Sequence, residues 1–150
     1  MIPPTETLEE KARERNWHKL LAKSLPSQTL LSHARAVSGV ASTLAELMKL
    51  DDTQTEILRL ACFLHDLGKE RPEFQEGLKR RKTPPHLATN DEIQNFLVSC
   101  GVDDDSLVAK VYVIHVATHR GEGEAISSLR AAEKLIPEGE RPSLIILGDI

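Results

Sequence analysis

The sequence is short of several things, and each shortage narrows what the protein can be. Only five of its 150 residues are aromatic: Trp17, Phe63, Phe74, Phe96 and Tyr112. A core must therefore be built mainly from Leu, Ile, Val and Ala, which suits packed helices better than a β-sandwich. Two cysteines, Cys62 and Cys100, make no disulfide framework and have no zinc-site spacing. Both read as small buried or half-buried side chains, and a reducing cytoplasm is the simplest compartment. No stretch approaches the roughly eighteen apolar residues of a membrane-spanning helix. The start, Met1-Ile2-Pro3-Pro4 followed by Glu6, Glu9 and Glu10, lacks a signal peptide's basic end and apolar stretch. Net positive charge is missing too. A balance of −4 excludes whole-surface attraction to nucleic acid, so a polyanion would have to be held locally, by a basic patch or by bound cations.

What is present fits one domain. A hydrophobic fraction of 40% over 150 residues is enough to enclose a single core without disulfides or an obligatory metal. The helix-favouring stretch from Thr5 to Ala22 predicts a first helix, closed by Pro26. Ser27 to Leu50 predicts the clearest amphipathic helix, with Leu30, Ala34, Val37, Ala41, Leu44 and Met48 recurring at three and four. Thr53 and Glu56 have capping-box spacing for a third helix ended by Gly68, which would put His65-Asp66 in its last turn. Residues 69–90 are charged and interrupted by Pro72, Pro84 and Pro85. They predict an irregular insertion with one short helix near Phe74 to Leu78. Further helices are expected over Asp91 to Ser99, Asp105 to His119 and Glu122 to Ile136, and after Pro142. The expected class is all-α, a compact helical bundle. The end of the chain inside an apolar run, Leu144 to Ile150, suggests that residues 1–150 are the N-terminal part of a longer protein.

Imidazoles and carboxylates spread over several packed helices can hold divalent cations while leaving positions open for water and substrate. The candidates are His33, His65, Asp66, His86, His115, His119 and Asp149. On a helix, adjacent residues point about a hundred degrees apart. His65 can then bind one ion while Asp66, through two oxygens, touches that ion and a neighbour. His115 and His119, four apart, can face one point. A lone histidine on a helix stripe is more often a hydrogen-bonded, part-buried side chain than a ligand, and His18 is read as a surface residue. Lys69 is either a phosphate contact or a lysine that complements a helix C-terminus. The run Lys79-Arg80-Arg81-Lys82 is either a grip on a nucleic-acid backbone or a solvated loop.

In order and context the set resembles the HD superfamily of metal-dependent phosphohydrolases: His33, then His65-Asp66-Leu67-Gly68-Lys69, then downstream histidines and a late Asp149. The string from His65 to Gln75, with Phe74-Gln75 after the H-D-x-G-K stretch, is similar to the HD nuclease domains of CRISPR effectors. Thr118-His119-Arg120-Gly121 is similar to their His-His-Gly segment, and Leu147-Gly148-Asp149 to the segment with their last ligand. The resemblance implies that His33, His65, Asp66 and Asp149 hold one ion, and that Asp66 with His86 and His119 holds a second. The chain departs from the pattern at Arg120, where a histidine is usual. His115 is a substitute, or the second ion is weakly held or absent. The resemblance further implies a metal-dependent phosphodiesterase with one or two ions (Mn, Ni, Co, Fe or Mg) and Asp66 and Lys69 as catalytic residues. Its substrate would be single-stranded DNA, gripped by Lys79, Arg80, Arg81 and Lys82. Other CRISPR effector subunits would dock on the remainder of the chain, with no membrane involved. Two other readings stay open, an HD enzyme acting on nucleotides or cyclic dinucleotides and a decayed HD domain with a structural or docking role.

Overall fold

Helix α1 covers Thr5–Glu14, with Glu6 in its first turn and Lys11 and Arg13 in its last, each sign placed where it complements the helix dipole. It stops well short of Ala22. Asn16 takes a left-handed conformation at φ 65°, which asparagine tolerates better than most residues, and the chain turns so that Trp17 enters the core. That indole is fully buried. It stacks on Phe63 at 5.7 Å, meets Phe96 at 5.5 Å, and donates from Nε1 to Glu70 Oε2 at 2.8 Å. Burying so large a ring outweighs the few tenths of a kcal/mol per residue that helix propensity offers residues 15–22.

The computed structural model describes residues 2–120, with side chains up to Val116. After Trp17 comes a short antiparallel hairpin, β1 (Leu21–Ser24) and β2 (Ser27–Thr29), where the sequence pattern predicts helix ends. It is the only sheet among the described residues. Thr29 then caps α2 (Leu30–Leu47) by accepting the Ser32 N–H at 3.1 Å. The capping box of α3 (Asp52–Leu64) is Asp51 with Gln54, two residues before the expected Thr53 and Glu56. An aspartate accepts a helix's free N–H groups at least as well as a threonine and also places negative charge at the positive end. Helix α3 ends at Leu64, earlier than Gly68, and a 3₁₀ turn, Leu67–Glu70, comes next. Then come α4 (Pro72–Lys79), α5 (Asn90–Ser99) and α6 (Asp105–Arg120). The fold is all-α as expected.

Helix α3 is the central element, packed on both α2 and α6. One side joins the main core, with Leu60, Phe63 and Leu64 among Trp17, Leu30, Phe96 and Val111. The other side, through Leu58 and Cys62, meets Ala41 and Ala45 of α2. The four largest buried side chains are all aromatic, Trp17, Phe63, Phe74 and Phe96, so nearly all of the scarce aromatics go to the interior.

The segment expected to be irregular is more ordered than its prolines suggest. Residues 67–79 are largely helical, a turn follows at residues 80–81, and residues 82–89 return as a strap without helix or strand. Arg71 fastens that strap by donating to the carbonyls of Leu87 (2.8 Å) and Pro85 (3.4 Å) and by pairing with Glu92. Burial alone would raise the Glu92 pKa, but hydrogen bonds from Arg71 and from Thr89 outweigh it, and the net shift is downward. A lowered carboxyl pKa stabilises the fold above the ordinary value of 4.5, and that contribution is lost as pH falls through the lower folded value. Glu92→Gln should therefore be less stable than the parent at neutral pH and lose less stability on acidification. Urea midpoints measured from neutral to acid pH test this. Parallel curves for the two proteins would show the pair to be inert.

Candidate metal centre

His33 lies on α2 and is only partly buried, because the α2 stripe that includes Leu30, Leu31 and Ala34 turns its neighbours inward and leaves it at the edge. His65 and Asp66 are not in the last turn of α3. His65 is its C-cap, and Asp66 (φ −108°, ψ 21°) joins α3 to the 3₁₀ turn. Leaving the helix here drives Asp66 inward to 5% exposure.

Gly68 makes that departure possible in a way unrelated to helix termination. It packs against the strap so closely that a Cβ would sit 1.9 Å from the His86 carbonyl oxygen. Strap and 3₁₀ turn can touch only if this residue has no side chain.

Asp66 is the hub. Its Oδ2 lies 3.0 Å from His33 Nε2, 3.1 Å from His65 Nε2 and 2.9 Å from Lys69 Nζ, while its Oδ1 faces His86 Nε2 at 4.0 Å. His33, His65 and Asp66 each offer a ligand atom, all within 4.8 Å of one another, and are the one such group among the described residues.

Proton positions can be read from the outer contacts. His65 Nδ1 sits 2.7 Å from the Cys62 carbonyl. A carbonyl can only accept, so Nδ1 carries a hydrogen and Nε2 is the nitrogen that faces Asp66. His86 repeats this at 3.3 Å from the Pro84 carbonyl. With a hydrogen on Nδ1, His65 Nε2 at 3.1 Å from Asp66 Oδ2 is the nitrogen placed to offer a lone pair to an ion held by ring and carboxylate. Burial lowers the His33 pKa, Asp66 opposes that, and His65 and Lys69 add to it. His33 is thus kept neutral, the form an ion needs. The nitrogen and oxygen donors present fit a divalent first-row metal. Cys62 contributes only its carbonyl, since burial pushes its thiol pKa up to about 11.

The histidine-rich end of α6 behaves differently. His115 is buried, and its Nε2 accepts the Ala88 N–H at 2.9 Å. This bond anchors the strap, and His115 is not a member of the His33–His65–Asp66 group. The side chains of His119 and Arg120 and all of Asp149 lie outside the described residues, as do the helices expected after residue 120. Lys79, Arg80, Arg81 and Lys82 are exposed at the end of α4, where Lys79 and Arg80 face Glu76 at 3.7 and 3.9 Å.

Residues 30–143 match the HD domain family. The chain belongs to that family. No curated protein and no solved structure matches it. The HD domain is accordingly that of a metal-dependent phosphohydrolase, and His33, His65 and Asp66 form a possible site for its divalent metal. No helix among the described residues is long and apolar enough to cross a membrane.

Several supports of this site carried no sequence signal of function. The Ala22 carbonyl in β1 accepts from Lys69 Nζ at 3.3 Å. Gln75 clamps the same strand, accepting the Leu21 N–H at 3.1 Å and donating to the Leu21 carbonyl at 2.9 Å and the Lys69 carbonyl at 2.8 Å. Phe74 lies under both Lys69 Nζ (5.5 Å) and the edge of His86 (5.2 Å). The Phe74-Gln75 pair, which the sequence marks only by family resemblance, thus has a mechanical role: it fixes Lys69 between hairpin and strap.

Proposed function

We propose that this HD domain hydrolyses phosphodiester bonds of single-stranded DNA in a divalent-metal-dependent way, as the nuclease domain of a CRISPR interference effector. The observation that carries the phosphodiesterase reading is the two-sided Asp66, one oxygen toward His33 and His65 and the other toward His86. Such a carboxylate is suited to one ion or to a pair. When bound, the metal supplies an activated water and neutralises charge on the phosphoryl oxygens. The chain's own groups do the rest. His65 is held in the metal-binding tautomer by the Cys62 carbonyl, His33 is kept neutral, and Lys69 donates to a phosphoryl oxygen. No protein nucleophile is required.

The CRISPR context and the single-stranded substrate rest on the string from His65 to Gln75, and on the exposed Lys79 to Lys82 run beyond α4. That helix has eight residues and spans about 12 Å, and its exposed basic end offers a strand's phosphates contacts outside the metal centre. Four of the five aromatics are buried, so base stacking contributes little. Binding should show little sequence preference and weaken steeply with salt. Other effector subunits would be held by the remainder of the effector.

The test is cleavage of linear and circular single strands, duplex, nucleoside triphosphates and cyclic dinucleotides, each with Mn²⁺ or Mg²⁺. Single strands should be cut and duplex largely spared. Neutralising Lys79, Arg80, Arg81 and Lys82 together should weaken strand binding and flatten its salt dependence while metal content stays unchanged. Metal-loaded protein that is inert on single strands but active on a nucleotide would replace this reading by the nucleotide one.

A further inference from the structure

Lys69 is paired with the very carboxylate that a metal would need. Its ammonium lies 2.9 Å from Asp66 Oδ2, the same oxygen approached by His33 and His65, and its side chain is only 15% exposed. A carboxylate oxygen has two lone pairs. An ion held by the imidazoles and this oxygen would stand beside Nζ, with like charges in a partly buried, poorly screened place. Two lone pairs let both cations reach the oxygen, but their mutual repulsion weakens the hold of each. Lys69 also has a second acceptor within reach, the Ala22 carbonyl at 3.3 Å, and a ring to rest on, Phe74.

We infer that Lys69 is the resident counter-cation of the metal-free site, which an incoming metal must push off Asp66 and which is thereby released toward the substrate's phosphate. The inference rests on the metal-binding reading of His33, His65 and Asp66. It has two consequences. Without metal, the buried carboxylate is never uncompensated, so the protein folds before loading. With metal, the ammonium that was masked becomes the phosphate contact, so metal binding precedes and promotes productive substrate binding.

Calorimetric titration of Mn²⁺ into metal-stripped protein reads the competition. Lys69→Met, which keeps the aliphatic stem on Phe74, should bind Mn²⁺ about tenfold more tightly than the parent, equivalent to about 1.4 kcal/mol. Its metal-free form should melt at a lower temperature, and Lys69→Arg should return the affinity to the parent's. Release is read separately by amine acylation followed by peptide mass spectrometry, where Mn²⁺ should speed labelling of Lys69 in the parent protein. Equal or weaker Mn²⁺ binding by Lys69→Met, with Asp66→Ala still abolishing binding, would overturn the competition and leave the metal site standing. No Mn²⁺ binding by parent or variant would overturn the metal site itself and this inference with it. If Lys69→Met fails to fold, the labelling rate decides, and a rate indifferent to Mn²⁺ overturns the proposal.

Discussion

Asp66→Ala protein should retain its helical circular dichroism, bind Mn²⁺ more than about a hundredfold more weakly, and show no hydrolysis of any phosphodiester. The reason is positional. Asp66 supplies the only carboxylate of the His33–His65–Asp66 group, and its second oxygen faces His86, so its loss removes a ligand from either ion at once. Losing a first contact to the metal should cost more than the ten- to hundredfold typical of outer-shell changes. Folding survives because the cores on both faces of α3 are apolar and do not include Asp66. Asp66→Asn separates charge from shape: it keeps the volume but leaves a neutral amide facing the His33 and His65 Nε2 atoms and Lys69 Nζ. It should bind metal as poorly as Asp66→Ala. Asp66→Asn protein with the parent's Mn²⁺ affinity would show that the ion is held elsewhere.

Gly68→Ala should be the more damaging change to the fold, at roughly 3 kcal/mol, comparable to a severe overpacking. A methyl group here would lie 1.9 Å from the His86 carbonyl oxygen and 2.7 Å from its carbon. The obstruction is backbone, which has no rotamer to escape by, so the strap must lift. Lifting it disturbs the Arg71 contacts to Leu87 and Pro85 and the Ala88 N–H bond to His115, each worth about 1 kcal/mol. It also carries His86 away from Asp66. Urea unfolding of Gly68→Ala should show a lower midpoint, and Mn²⁺ titration should show any second equivalent weakened more than the first. A stability within a few tenths of a kcal/mol of the parent would mean that strap and turn are not in contact in solution. The adjacent Leu67 is fully buried, so the comparison must use the alanine substitution at position 68 alone.

Much was readable from the sequence. The scarcity of aromatics with plentiful Leu, Ile, Val and Ala pointed to helices, and three- and four-residue spacing placed α2 and α3 to within a few residues. The H-D-x-G-K stretch after His33 identified the family and its metal chemistry, because the donor types and their order are properties of the chain itself. Tertiary packing decided the rest. Residues 15–22 have the composition of a helix, yet Trp17 leaves it, because burial against Phe63 and Phe96 gains more than propensity can. Gly68 reads as a helix stop, but the packing makes it the contact point of the strap. His115 reads as a candidate ligand on a helix face, and only the packing shows that its Nε2 accepts a strap N–H. His33 and Asp66 are 33 positions apart in the sequence and 3.0 Å apart in the fold. Local pattern fixes which residue types a helix presents, whereas only the meeting of α2, the end of α3 and the strap decides which of those side chains share a site.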